Sequence, residues 1–303
     1  MILCAGEALI DMLPRQTAAG EETYLPTPGG AVFNTARALG RLGVETCFFS
    51  GFSTDMFGRL LEKTLHDSGV DTDLVHHSDR PTTLAFVELV NGQASYFFYD
   101  EATAGRSLSV EDLPPELPDV DAMFFGGISL MSEPCGATYE ALQVWEASSK
   151  VIMLDPNIRP SFIADEQTYR TRIFRMMALA DIVKLSDEDL HWLMGPGEVA
   201  DLASHIIDAG PSVFCYTEGA KGVTAYTRDK RYRALAPKVE VIDTVGAGDT
   251  FNAGFLAGLA KTGGLVKESL GQFDLKPALE LGVRAAAVTV TRAGANPPWE
   301  HEL

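Results

Sequence analysis

Short apolar runs alternate along this chain with longer stretches whose apolar residues recur every three or four positions. ILCAG at 2–6 predicts a first buried strand. Val32, Phe33, Ala36, Leu39 and Leu42 share one face at helical spacing, so a helix is expected over 31–42. TCFFSGF at 46–52 then predicts a second strand, and a further helix runs from Met56 to His66. Four later apolar runs, AMFFGGI at 122–128, VIMLD at 151–155, DIVKL at 181–185 and VFCYT at 213–217, each sit near a stretch of helical periodicity. Together they predict an α/β fold: a mainly parallel central sheet flanked by helices.

One region departs from this rhythm. TTLAFVELVNGQASYFFYD at 82–100 holds two β-rich runs joined by Asn91-Gly92, a dipeptide that supplies the positive φ of a tight hairpin. A hairpin there lies outside the parallel sheet. With the segment around Tyr24 to Thr27 it is expected to form a small β lid, built from about 12–28 and 82–104, that keeps water from a site. The same apolar residues would equally serve a dimer contact. No repeat of fixed period and no long linker divides the chain, so 1–303 is read as a single domain.

Charge narrows the possible partners. The 303 residues carry 24 Lys+Arg against 42 Asp+Glu, a formal charge of −18, with no Lys/Arg-rich run. Nucleic acid and anionic membrane surfaces are therefore not expected partners, since both demand a basic face. MILCAGEALIDMLP carries Glu7 and Asp11 within its apolar stretch and has no basic flank, unlike a signal peptide. Cys4, Cys47, Cys135 and Cys215 are far apart and contain no C-x-x-C pair, which fits neither a disulfide framework nor a zinc site. A cytoplasmic protein is expected.

The strongest chemical signal is Asp243-Thr-Val-Gly-Ala-Gly-Asp-Thr-Phe-Asn-Ala-Gly254. Gly246, Ala247 and Gly248 permit a tight turn with exposed N–H groups, and Phe251, Phe255 and Leu259 place a helix from about Asp249. A glycine turn opening a helix is an anion site, with phosphate the expected guest. Asp249 has two readings here: an N-cap of that helix, or a general base that takes a proton from a hydroxyl nucleophile beside the anion. A dinucleotide fingerprint is excluded by Phe251 where its third glycine belongs, and a Walker A loop by Phe255 where its first glycine belongs. A second constellation, Gly29-Gly30-Ala-Val-Phe-Asn34, sets a glycine pair before a helix and an amide one turn inside it. Glycine lets a ligand approach the backbone and Asn34 both donates and accepts, as a polyhydroxylated substrate requires. Read blandly, the glycines are a turn and Asn34 is a solvated helix residue.

GGAVFNTARALGRLG and DTVGAGDTFNAGF, in this order and some two hundred residues apart, resemble the paired signatures of the ribokinase or PfkB family of sugar kinases. The resemblance runs from Gly6-Glu7-Ala-Leu-Ile-Asp11 to Thr291-Arg-Ala-Gly294-Ala-Asn-Pro297, and GEALIDMLP with PGGAVFN is most similar to the fructokinase branch. It implies an ATP-dependent kinase acting on a primary hydroxyl, with fructose the expected sugar. Ribose or 2-keto-3-deoxygluconate is the alternative substrate, and a non-catalytic sugar or nucleotide sensor the alternative role. On this resemblance Asp249 is the base, and the N–H groups of Gly246, Ala247 and Gly248 hold the transferring phosphoryl group. Asp11, Gly30, Asn34 and Arg159 match sugar-contacting positions, with Phe97 or Phe98 covering the sugar. Read blandly, Asp11 pairs with a surface arginine, Arg159 caps a strand end, and either phenylalanine belongs to the core. Lys184, Thr217, Gly219 and Gly222 match the ATP side. The resemblance also implies a monovalent cation, K+, at Asp243, Val245, Thr289, Arg292 and Gly294, and a homodimer through the lid.

Three departures from the family pattern stand out. Its Asn-x-x-Glu motif, associated with Mg2+, reads Ser186-Asp-Glu-Asp189 here, so Asp189 is the carboxylate left to serve magnesium through water. Glu218 stands in the phosphate loop where an apolar residue is common, and Pro297-Pro298 where the closing loop often has a small polar residue.

Overall fold

The computed structural model describes residues 1–90 and 93–303; the Asn91-Gly92 turn lies outside the described residues. Its strands in chain order are β1 (Ile2–Ala5), β2 (Leu9–Gln16), β3 (Glu22–Gly29), β4 (Thr46–Phe49), β5 (Gly51–Ser53), β6 (Val70–Asp71), β7 (His76–Ser78) and β8 (Leu84–Val90). They continue with β9 (Gln93–Tyr99), β10 (Ala122–Gly126), β11 (Val151–Asp155), β12 (Ile182–Ser186), β13 (Val213–Thr217), β14 (Val223–Tyr226) and β15 (Arg231–Ala234). The α-helices are α1 (Ala31–Arg41), α2 (Met56–His66), α3 (Cys135–Glu146), α4 (Glu166–Leu179), α5 (Asp187–Met194), α6 (Val199–Asp208), α7 (Ala247–Thr262) and α8 (Lys276–Val290).

Among the described residues nine strands form one sheet in the order β15-β14-β13-β12-β11-β10-β1-β4-β6, parallel from β6 to β13. Successive residues of β1 enter different cores, as a two-residue period demands. Ile2 and Cys4 pack with Val32 and Phe33 of α1, Phe255 of α7 and Leu279 of α8. Leu3 and Ala5 pack with Tyr139 of α3, Ile173 of α4 and Ile206 of α6. This is the expected α/β fold, with helices on both faces. The periodicity did not foretell the antiparallel edge β14-β15, whose four-residue strands are too short to show one. The predicted strand over 46–52 divides after Phe49, and β5 leaves the main sheet to pair with β7.

From β1 the chain builds toward β4 and β6, then returns to the other side of β1 with β10 and continues to β13. The carboxyl ends of β1 and β10 therefore flank a switch point, where open parallel sheets leave a ligand crevice. A separate sheet in the order β3-β2-β8-β9 stands at that end. It includes the 82–100 segment and pairs Asp11 with Thr27 and with Ala85. No helix among the described residues is long and apolar enough to cross a membrane, and all four cysteines are buried free thiols.

Candidate active site

Two glycine turns deliver helices to the crevice. Gly30 precedes α1 at φ 108, and a Cβ there would lie 2.9 Å from the Glu7 carbonyl oxygen, so only glycine fits. Gly246 precedes α7 in the left-handed region at φ 76. Val32, Phe33, Ala36 and Leu39 bury one face of α1, and Asn34 is carried inward with them at 6% exposure. Asn34 is thus no solvated helix residue. Its Nδ2 donates to Asp249 Oδ2 at 2.9 Å, and the Thr35 hydroxyl donates to the Asp249 carbonyl at 3.3 Å.

The cap reading of Asp249 fails on this geometry. Gly246 is the N-cap, and the Asp249 carboxylate, 7% exposed, meets Asn34 of another helix rather than its own backbone. Burial pushes the Asp249 carboxyl up to about 7; Asn34 pulls it down, nearby Asp155 pushes it up, and Lys184 and Arg159 pull it down. Asp11, with no ion pair among the described residues, is likewise raised to about 7 by burial. Its pairing with a surface arginine is not what the structure shows.

Asp249 opens onto a cavity of about 300 Å³. Asp11, Gly30, Asn34, Arg159, Val245, Gly246 and Gly248 line it too, so the residues expected at a sugar and the glycine turn expected at an anion meet in one space. The cavity was legible only in part. Glu7, Gly127 and Asn157 also line it, and none of them was singled out. Glu7 had a signal: an acid at the end of an otherwise apolar strand. Its Oε1 accepts the Ala31 N–H at 2.8 Å and its Oε2 the Ser129 N–H at 3.3 Å. A Cβ at Gly127 would sit 2.0 Å from Glu7 Oε1, so that glycine makes room for the carboxylate.

The assignment of Phe97 needs correction. In β9 it is 54% exposed and pairs with Phe86, while its neighbour Phe98 pairs with Ala85, beside Asp11, and lines the cavity. One residue of register exchanges the two faces of a strand, and the composition of 97–98 cannot decide which face is which.

Toward β12 the site is bordered by a buried lysine among acids. Lys184 is buried and donates to Asp155 Oδ2 at 2.9 Å, an oxygen that also accepts Asn252 Nδ2 at 2.7 Å. Burial acts to lower the Lys184 pKa, but Asp155, Asp189 and Asp249 outweigh it and leave it raised. A Cβ on Gly248 would lie 3.4 Å from Lys184 Nζ, so the ammonium faces the start of α7. Among the described residues no protein acceptor takes the N–H of Gly246 or Gly248, whereas the Ala247 N–H is donated to the Thr244 carbonyl at 3.3 Å. Thr217, Gly219 and Gly222 lie outside this cavity, where β13 turns into β14, with Gly219 at φ 54 and Gly222 at φ 95. Glu218 in that turn pairs with Lys221 at 3.1 Å, which offsets its charge.

Asp243 ties two loops together: Oδ1 accepts the Val245 N–H at 3.0 Å and Oδ2 the Gly294 N–H at 2.8 Å. The carbonyls of Thr289 and Gly294 accept the N–H groups of Arg292 and Asn296, at 3.0 and 2.8 Å. Each carbonyl keeps a second lone pair. Asp189 has both oxygens on protein donors, Ser186 and Ile158.

Residues 1–302 match the family described as pfkB family carbohydrate kinase. The chain is 53% identical over 274 residues to a fructokinase of Rhizobium leguminosarum bv. trifolii, covering 90% of this chain and 84% of that one. A fructokinase of Vibrio cholerae O395, solved with fructose, ADP and calcium ion, superposes with a TM-score of 0.86 at 28% identity, covering 97% of this chain and 94% of that one. Aminoimidazole riboside kinase of Salmonella enterica, solved with aminoimidazole riboside and an ATP analog, gives 0.84 at 26% identity, with 97% and 94% covered.

Proposed function

Because this chain belongs to the pfkB family of carbohydrate kinases, we propose that it is an ATP-dependent fructokinase, moving the γ-phosphoryl group of ATP to a primary hydroxyl of fructose. The observation that carries this reading is the shared cavity: a buried carboxylate, Asp249, beside a helix N-terminus with unclaimed N–H groups, with the Lys184 ammonium packed next to Gly248. Asp249 takes the proton of the attacking hydroxyl. The N–H groups of Gly246 and Gly248 and the Lys184 ammonium stabilise charge on the phosphoryl group in flight. The Ala247 N–H joins them when it leaves Thr244. Thr217, Gly219 and Gly222 hold the remaining phosphates, and a divalent ion, Mg2+ in this reading, neutralises them.

Glu7, Asp11 and Asp249 face one arginine, Arg159, across the cavity. Burial raises all three acids, which suits them to exchange hydrogen bonds and protons with hydroxyls, and this supports a neutral sugar over a sugar acid such as 2-keto-3-deoxygluconate. Asn34 Oδ1 is buried without a protein donor, and a sugar hydroxyl would supply one.

The lid is the β3-β2-β8-β9 sheet, with Phe98 over the sugar. A homodimer through that sheet belongs to the same reading, supported by Tyr24, Phe97 and Tyr99 exposed around Phe86. So do a cytoplasmic location and a K+ ion on the Asp243 loops, whose free carbonyl lone pairs suit a monovalent cation. A panel of fructose, ribose, aminoimidazole riboside and 2-keto-3-deoxygluconate, read by ADP release, tests the substrate. Fructose is expected to give the highest kcat/KM; a higher value for any other sugar overturns that choice, and sugar binding without ADP release makes the protein a sensor.

A further inference from the structure

The Ser186-Asp-Glu-Asp189 departure has a structural counterpart. Ser186 is the N-cap of α5, and its Oγ accepts the Asp189 N–H at 3.1 Å while Asp189 Oδ2 accepts the Ser186 hydroxyl at 2.7 Å. The two altered residues thus make a reciprocal cap. Asp189 Oδ1 reaches the loop after β11 and accepts the Ile158 N–H at 2.9 Å. One residue earlier, the Asn157 N–H donates to Asp155 Oδ1 at 3.2 Å. Two buried carboxylates therefore hold successive N–H groups immediately before Arg159. Asn157 sits at φ 45, in the left-handed region that Asn tolerates better than most residues with a side chain, so the chain turns sharply here. Both Asn157 and Arg159 line the sugar cavity. Lys184, bonded to Asp155 and attracted to Asp189, offsets part of the negative charge that holds this turn.

We propose that Asp189 is a positioning residue for the sugar site: capped by Ser186, it fixes the Asn157–Arg159 turn and serves sugar binding rather than magnesium. A carboxylate one methylene shorter than glutamate has both oxygens committed to protein donors. Swinging Oδ1 away to serve a metal-held water would strand the buried Ile158 N–H, so the turn before Arg159 holds this carboxylate in place. On this proposal Asp189 acts on the sugar side instead of the expected Mg2+ side, and the two readings part in the measurements below.

The inference rests on the fructose reading for its probe. Calorimetry of fructose binding to the full chain, without nucleotide or metal, is the first readout. Asp189→Ala is expected to weaken fructose by about tenfold or more, with kcat changed less than about threefold. The Mg2+ concentration for half-maximal turnover at saturating fructose should stay within about twofold. Asp189→Asn keeps an acceptor for Ile158 without the charge and should restore fructose affinity to within about threefold. In an Arg159→Ala background the Asp189→Ala penalty should shrink, because the residue being positioned is gone. Unchanged fructose affinity in Asp189→Ala overturns the proposal, as does a raised Mg2+ requirement in Asp189→Asn with fructose affinity unaltered. Should the alanine variant not fold, Asp189→Leu, which is close in size and has no acceptor for Ile158, and its cycle with Arg159→Ala decide by the same two quantities. Wild-type protein that binds no fructose refutes the substrate reading instead, and the best sugar of the panel then replaces it as probe.

Discussion

α1 and α7 enter the same cavity from glycine N-caps at positive φ, neither with a side-chain cap, yet their ends are finished in opposite ways. At α1 the first N–H is taken by Glu7 Oε1 at 2.8 Å, and Asp11 stands close by in the cavity. At α7 the Gly248 N–H has no protein acceptor among the described residues, and Lys184 faces it. A free helix N-terminus is an anion site; one already holding a carboxylate is not. On the proposed reading the same backbone device gives a neutral-hydroxyl site at one end of the cavity and a phosphate site at the other, and one buried acid makes the difference. Asp249 stands between the two.

Removing that intermediary should have the largest effect. Asp249→Ala is expected to lower kcat by about 10² to 10⁴-fold while fructose and ATP affinities change far less, as measured by steady-state turnover and calorimetry. Turnover at the wild-type level would refute the base assignment.

Burial of Asp249 also sets a pH dependence whose sign differs for activity and stability. The base must be ionised, so kcat/KM for the sugar should rise with pH through an apparent pKa near the value of about 7 that burial imposes. Asn34→Leu removes a donor that holds this pKa down, so its profile should move to higher pH. Stability runs the other way. The folded carboxyl, at about 7, binds its proton more tightly than the unfolded one, at 3.8, so the stabilisation is complete below pH 4 and is lost as pH rises through 7. Asp249→Asn should therefore unfold at a higher denaturant midpoint than wild type at pH 8, by on the order of 2–4 kcal/mol, with the gap closing near pH 4. Equal midpoints at pH 8 would show that the folded carboxyl is not raised.

The asymmetry between the two termini was only half visible in the sequence. Apolar periodicity located α1, α2, β11 and β13, because each buries one face or both against its neighbours. The glycines before α1 and α7 were legible because positive φ and close approach restrict residue type. Glu7 was not, since its partners, Ala31 and Ser129, are backbone groups far along the chain that leave no mark on composition. Phe98 and Phe97 could not be told apart, because strand register is set by the partner strand. The role of Asp189 required the fold to bring Ile158 across from the neighbouring strand's loop.

Glu7→Gln tests the sugar end. Its amide can accept at one oxygen but must turn an NH2 toward Ala31 or Ser129, leaving a buried N–H facing a donor. Fructose affinity should fall by about tenfold and thermal stability by about 1–3 kcal/mol, since the α1 terminus and the Ser129 turn both loosen. With the carboxylate gone, inhibition by a sugar acid such as gluconate should strengthen relative to wild type. Weaker fructose binding without that gain would mean that Glu7 shapes the backbone and has no part in excluding anions.

Gly248→Ala tests the phosphate end with the smallest change. A Cβ there would lie 3.4 Å from Lys184 Nζ, ordinary contact with the far end of a flexible side chain, so folding should be little affected. In the first turn of a helix, alanine even has a higher propensity than glycine, which favours the variant by up to about 1 kcal/mol. The added methyl instead occupies space where an incoming phosphoryl group must approach the backbone N–H. The expected result is a thermal midpoint equal to or above wild type, unchanged fructose affinity, and kcat/KM for ATP reduced by about five- to tenfold, roughly 1 kcal/mol. If fructose affinity falls instead and ATP kinetics are untouched, the α7 terminus belongs to the sugar, and the division of labour between the two helices is reversed.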